Sequence, residues 1–168
     1  SAVMSSNAIH YGEMIMVGLD EIKIGYNEAF EEEPAIFMGP TTNNNANLHL
    51  TNLVTLATKS GFTYTPSPWL SSASEKMTEP EMIPFMAIPH GNHQFGQLTC
   101  EVGSAKVRMS KEQEITFTTP FPEGVVPVVL TEIYKPSIIK APMVTKVRDI
   151  TNKGFKCQIM VEEGATTS

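Results

Sequence analysis

An internal repeat constrains this chain more than any other feature. Glu21-Ile22-Lys23-Ile24, Phe30, Pro34-Ala35-Ile36-Phe37 and Gly61-Phe62 form one set of landmarks. Glu114-Ile115-Thr116-Phe117, Phe121, Pro127-Val128-Val129-Leu130 and Gly154-Phe155 form a second. Three of the four recur 93 residues on, and the phenylalanines 91 residues on. Landmarks held that closely in register predict two homologous units, residues 1–90 and 91–168.

The pattern inside each unit is that of strands. Apolar and polar residues alternate in Ile115–Thr118, Met143–Val147 and Ile22–Ile24, and again in Leu48-His49-Leu50. Phe155, Cys157, Ile159 and Val161 share one face of a further strand. Twelve prolines and eleven glycines, spread along the chain, leave no room for a long helix; Asn27–Glu33 has the length for one turn. Ala35–Met38 and Val128–Leu130 are apolar throughout, as in strands covered on both faces. Gly61 and Gly154 follow polar triplets, Thr58-Lys59-Ser60 and Thr151-Asn152-Lys153, which predicts tight hairpins using the glycine's positive φ. The expected fold class is all-β, with two tandem six-stranded antiparallel β-sandwich modules.

Composition removes several functions. With 12 Lys+Arg against 18 Asp+Glu the charge is −6, and no basic stripe offers a footing for nucleic acid. The longest apolar runs are as short as Val125–Leu130, whereas a spanning helix needs about 20 apolar residues, so no membrane insertion is expected. No charged start followed by an apolar stretch occurs, so no secretory signal is expected within these residues, although one already removed fits as well. Two cysteines are too few for a disulfide scaffold or a four-cysteine zinc site, and two aspartates, Asp20 and Asp149, too few for an aspartate-built calcium loop.

The order Ile115-Thr116-Phe117-Thr118-Thr119-Pro120-Phe121, Pro127-Val128-Val129-Leu130-Thr131 and Val147…Gly154-Phe155-Lys156 resembles the H-type lectin domain. That family includes snail agglutinins and modules of bacteriophage tail fibres. In the first unit Asn47-Leu48-His49-Leu50, Gly61-Phe62, Trp69 and Phe85-Met86-Ala87-Ile88 follow the family's order. The resemblance implies a six-stranded sandwich, trimers or hexamers, and a GalNAc-like or other sugar held between protomers, on an extracellular or virion surface. It places His49 where the family carries an arginine, Trp69 at its tryptophan, and Leu70 where a histidine follows. In the second unit Pro142 falls near the arginine position and no tryptophan follows Gly154. The second unit also has no counterpart of Phe85–Ile88, so its last strand is expected either further along a longer protein or from another protomer.

Asn47, His49, Tyr64 and Trp69 are therefore the candidate carbohydrate-binding residues. Aromatic rings stack on the C–H faces of sugars and amides bond their hydroxyls, while the competing readings are a core-capping Trp69, a plain asparagine turn at Asn43–Asn47 and a solvent-facing His49. The serine-rich loop Ser71–Pro80 is placed to contribute. His90 and His93 are weak metal candidates without a third ligand nearby in sequence, so no metal and no cofactor is expected. Cys100 and Cys157 either bridge in an oxidising setting or pack as reduced core residues. Six of ten methionines, Met14, Met16, Met38, Met82, Met86 and Met160, fall in strand-like segments and are expected in the core.

No nucleophile elbow, phosphate loop or zinc-protease helix motif occurs, and Glu31-Glu32-Glu33 reads as a solvated turn. The expected function is non-enzymatic: multivalent recognition of a surface glycan for attachment or adhesion. The alternative is a structural or oligomerisation module of a virion fibre, tail or extracellular assembly that binds no sugar. A third is a protein-binding adhesin that uses an open strand edge.

Overall fold

The computed structural model describes residues 9–69, 74–134 and 142–161. Leu70, the start of the Ser71–Pro80 loop and the segment from Glu162 onward, to which parts of the sequence reading refer, lie outside the described residues. The chain is all-β: the described residues contain eleven strands and no helix, and Asn27–Glu33 is a bent loop rather than a helical turn.

Six strands build the first half. One antiparallel sheet has the order β1 (His10–Met16), β6 (Glu81–Ile88), β3 (Ala35–Met38). The other has the order β2 (Ile22–Gly25), β5 (Gly61–Pro68), β4 (Leu50–Thr58). Alternation decides which side chains meet between them. Met14, Met16, Ile36, Ile83 and Ala87 from the first sheet pack with Val54, Ala57, Phe62 and Tyr64 from the second in one buried cluster. Two sheets sharing their inner faces in this way form a β-sandwich. His10, Tyr26 and Phe30 add an aromatic group to that core, with ring centroids 4.7–5.4 Å apart.

The second half repeats one of these sheets. β9 (Gln113–Thr116), β11 (Gly154–Val161) and β10 (Met143–Arg148) lie in the order β9-β11-β10, matching β2-β5-β4. The hairpins agree in detail. Tyr26 donates its N–H to Ser60 at 2.9 Å and Phe30 to Lys59 at 2.8 Å; Phe117 donates to Lys153 at 2.9 Å and Phe121 to Asn152 at 2.8 Å. Tyr26 and Phe30 meet edge-on at 5.0 Å, as Phe117 and Phe121 do at 5.2 Å. The pairing also corrects one landmark. Ile24 faces Phe62 and Ile115 faces Phe155, so Ile115 is the counterpart of Ile24, and Phe117 that of Tyr26. A two-residue shift leaves every side chain on the same face, which is why alternation alone does not detect it.

Beyond this sheet the halves diverge. β7 (Gly91–Phe95) and β8 (Leu98–Val102) form a separate hairpin. Val128–Leu130, expected as a strand covered on both faces, is neither a strand nor buried: Val128 is 88% and Leu130 72% exposed. Its counterpart β3 is held by β6, whereas among the described residues no strand pairs with Val125–Leu130. The chain then turns back onto the first half. Ile133 packs with Leu53 and Met143, and Tyr134 bridges to Val54 on the edge strand β4.

Two further expectations are corrected. Met82 and Met160 are 43% and 44% exposed, because they point away from the inner faces of their sheets, while Met14 and Met16 are buried as expected. Gly61 and Gly154 do not have positive φ. They are required by close approach instead: a Cβ on Gly61 would lie 2.2 Å from the Ile24 carbonyl oxygen, and one on Gly154 2.1 Å from that of Ile115.

A cleft around His49 and Trp69

Strand starts and the asparagine-rich loop together form a cleft of about 410 Å³ beside the first sandwich. His49 precedes β4 and Trp69 follows β5, so the β4–β5 pairing brings them to the same end of the sheet. The Trp69 N–H donates to the His49 carbonyl oxygen at 2.9 Å, extending that ladder by one bond. His49 is exposed and Trp69 half-buried, and both line the cleft. Thr41, Thr42, Asn43 and Asn52 supply hydroxyls and amides, while Leu48 and Leu50 supply apolar surface.

Asn52 forms a fixed part of the wall. Its Nδ2 donates to the Gly39 carbonyl oxygen at 3.2 Å, and its Oδ1 accepts the Tyr64 hydroxyl at 3.1 Å. Tyr64 itself is fully buried, so its ring offers no face to a sugar, and its candidacy as a stacking platform is corrected on that ground. Its connection to the cleft runs through Asn52. Asn47 is an exposed turn residue outside the set that lines the cleft.

Glu81 organises the loop. Its side chain is 2% exposed, yet both oxygens are occupied. Oε1 accepts the Asn45 N–H at 2.8 Å and the Asn45 Nδ2 at 2.7 Å; Oε2 accepts the Asn44 N–H at 3.1 Å and the Thr42 hydroxyl. Burial pushes this carboxyl's pKa upward, but the hydrogen bonds from Thr42, Asn45 and the Asn44 amide outweigh burial and hold it below the usual carboxylate range. Asn45 carries the bonding onward. Its Oδ1 accepts the Thr78 N–H at 2.8 Å and the Glu79 N–H at 3.2 Å, and its Nδ2 also reaches the Glu79 carbonyl oxygen at 2.8 Å. The amides of Asn44 and Asn45 thus face protein, and Asn43 is the loop asparagine presented to the cleft. An ionised carboxylate with four donors is a scaffold group and not a proton donor.

Sequence reasoning reaches His49 and Trp69 but misses Glu81, Asn45 and Asn52. The available signal is Glu81 itself, a lone charge opening the otherwise apolar run Met82–Ile88. A charge in that position has to be buried with partners, and a loop rich in amides is the natural source of donors.

No protein-family model, no curated protein and no solved structure matches this chain. The cleft is therefore read from its own chemistry. Among the described residues no lysine or arginine lines it, and the Glu81 carboxylate is saturated by protein donors. What remains is an indole, an imidazole, hydroxyls and an amide: a surface suited to a neutral, hydroxyl-bearing ligand.

The remaining candidates lie elsewhere. His93 is on β7 with its Nε2 2.8 Å from the Pro89 carbonyl oxygen, His90 is exposed, and His10 belongs to the aromatic core group. Among the described residues no three His, Cys, Asp or Glu side chains cluster to hold a metal. Cys100 and Cys157 are free thiols rather than a disulfide; they occupy different sheets, paired opposite His93 and Val147 respectively. Burial pushes both thiol pKa values up, which lowers the thiolate fraction. Alkylation by iodoacetamide at pH 7 is therefore expected to be slow in the folded chain and rapid in denaturant. Equal rates in the two states would contradict this packing.

Proposed function

We propose that this chain is a lectin-like protein that recognises a surface glycan through the cleft of its first half. The observation that carries the reading is the meeting of Trp69 and His49 with hydroxyl and amide groups in one concavity whose described lining carries no lysine or arginine. A half-buried indole gives a sugar's C–H face an apolar partner, and Thr41, Asn43 and His49 match its hydroxyls. The repeated sheet, with its shared hairpin contacts, supports two related modules of H-type lectin character. The second lacks an equivalent of Trp69, so one site per chain is the working number. Single shallow sites of this kind bind weakly, and a trimer or hexamer would supply avidity at an extracellular or virion surface.

The purified chain, sized by light scattering and applied to a broad glycan array, tests this. Trp69→Ala is expected to lower binding by at least about twofold to tenfold, since an aromatic ring packed on its partner contributes about 0.5–1.5 kcal/mol beyond its buried area. His49→Ala should weaken binding less while leaving the fold intact. Silence on every glycan by a folded multimer would overturn the reading.

One observation favours the structural alternative. Tyr11 and Ile15 on β1 and Val17 just beyond it are exposed, at 83%, 62% and 80%, on a face they share with Glu13, while Val126, Val128 and Leu130 form another exposed apolar row. Exposed apolar rows of this kind suit assembly. A multimer that binds no glycan, and that dissociates on Ile15→Glu or Val128→Glu, would establish an oligomerisation module instead.

A further inference from the structure

The first sandwich is open along one side, between the edge strands β3 and β4, and residues from the second half close it. Glu132 Oε2 accepts the Met38 N–H at 3.2 Å across the free edge of β3. Two residues on, Tyr134 bridges to Val54 of β4, and between them Ile133 packs on Leu53 and Met143. Thr131 anchors the other end through a 2.6 Å bond between its hydroxyl and that of Thr145 on β10. A carboxyl has thus been placed where the chain needs only a short plug. We propose that Thr131–Tyr134 is a proton-controlled latch, closed when Glu132 is protonated, and that it sets the position of the Asn52 wall of the cleft through Tyr64.

The surroundings of Glu132 favour the neutral form. The β3 side presents the Met38 amide, β4 presents the uncharged Val54, and β5 presents the Tyr64 hydroxyl, whose own pKa is raised by burial and by Glu132. Tyr134 is the other titratable residue of the segment. None of the ion pairs formed among the described residues involves Glu132. Burial accordingly pushes the Glu132 carboxyl up to about 7, against the opposing effect of the Met38 and Ile133 amides. A folded value above the unfolded one means that the latch's contribution is complete below the ordinary carboxylate range and is lost as pH rises through 7. Above that, a half-buried charge is left with the Met38 and Ile133 amides, and opening the segment lets more water reach it.

The path to the cleft is short. The Glu132 charge helps raise the Tyr64 hydroxyl's pKa, that hydroxyl donates to Asn52, and Asn52 donates to the Gly39 carbonyl oxygen next to the Met38 amide that Glu132 accepts. Asn52 also lines the cleft. As a regulator of binding the latch rests on the glycan reading; as a latch it does not.

The test uses the whole chain without ligand. Protection of the Met38 amide against hydrogen exchange, corrected for the intrinsic rate, is measured by NMR at pH 5.5 and pH 8.5. Linkage from an open-state carboxyl near its ordinary value to about 7 when closed predicts about a thirtyfold loss of protection over that interval. Glu132→Gln, which keeps the shape and the acceptor but cannot ionise, should hold protection flat. Flat protection in the unaltered chain, or the same loss in Glu132→Gln, overturns the latch. Glycan affinity at the two pH values separates the second claim. Binding that weakens with pH in the unaltered chain and not in Glu132→Gln supports gating, and equal affinity at both overturns it. No binding at either pH, with protection still pH-dependent, overturns the glycan reading and leaves the latch standing.

Discussion

Gly154→Ala is expected to lower the melting temperature of the chain by about 10 °C, reflecting about 3 kcal/mol of lost stability. The new Cβ would sit 2.1 Å from the Ile115 carbonyl oxygen, inside any permitted contact, and the obstacle is backbone rather than a side chain that can turn aside. Relief requires β9 to move away from β11 where Gly154 faces Thr116, at the mouth of the hairpin. That movement also disturbs the Phe117 N–H bond to Lys153 and the packing of Phe117 on Phe155, 5.7 Å between centroids. Gly61→Ala should cost the same for the same reason, with 2.2 Å to the Ile24 carbonyl oxygen. The two sites lie in separate sheets, so the double variant should show nearly the sum. Gly103→Ala is the control: nothing lies within 4 Å of its new Cβ, and it should change stability by no more than about 0.5 kcal/mol. Thermal unfolding of the four variants decides the matter, and a Gly154→Ala protein as stable as Gly103→Ala would refute the close approach.

The paired glycines also show what the sequence carries and what it hides. Gly61-Phe62 and Gly154-Phe155 are visible as a repeat, and their neighbours Thr58-Lys59-Ser60 and Thr151-Asn152-Lys153 correctly mark hairpins. The reason for the glycine is not visible, because close approach to a carbonyl is a tertiary fact and positive φ a local one. The same division runs through the rest of the chain. Alternation locates β2, β9 and β10, where covered and exposed residues alternate along the strand, and it also marks β11 and the approach to β4. The reading of an uninterrupted apolar run as a covered strand fails at Val128–Leu130, which resembles β3 in composition but leaves Val128 and Leu130 exposed. Composition gives a strand its preference for partners but does not supply the partner, and β6 is what distinguishes the two halves.

In the cleft, His49 and Trp69 are legible because unusual residues stand next to strand-like segments. Tyr64 misleads for a physical reason. A tyrosine in an alternating strand faces either solvent or core, and the ring here faces core while only its hydroxyl touches a residue of the cleft. Glu132 is hidden more deeply. In sequence it follows an apolar run as an ordinary polar stop, and only the return of the chain to β3 and β4 makes it a half-buried acid.

Glu81→Ala should be the most damaging single substitution in the cleft, destabilising the chain by about 3–5 kcal/mol. Deleting the carboxylate strands the buried Asn45 amide and its side-chain Nδ2, while the more exposed Asn44 amide and Thr42 hydroxyl lose their acceptor to water. The loss should fall first on the 41–47 loop, because Asn45 also holds Thr78 and Glu79 in place. Glu81→Gln separates charge from shape. Its amide keeps one acceptor but turns a donor toward groups that are themselves donors, so it should recover less than half of the loss. The same bonds set a pH signature opposite to that of Glu132. A folded carboxyl held below its usual range contributes its full stability above that range and surrenders it as pH falls through the lowered value. The unaltered chain should therefore lose stability on acidification below about pH 4, and Glu81→Gln should lose less over the same interval. Urea midpoints at pH 3 and pH 6 for both proteins measure this directly. Equal acid sensitivity in the two would show that Glu81 is not the carboxylate that holds the loop.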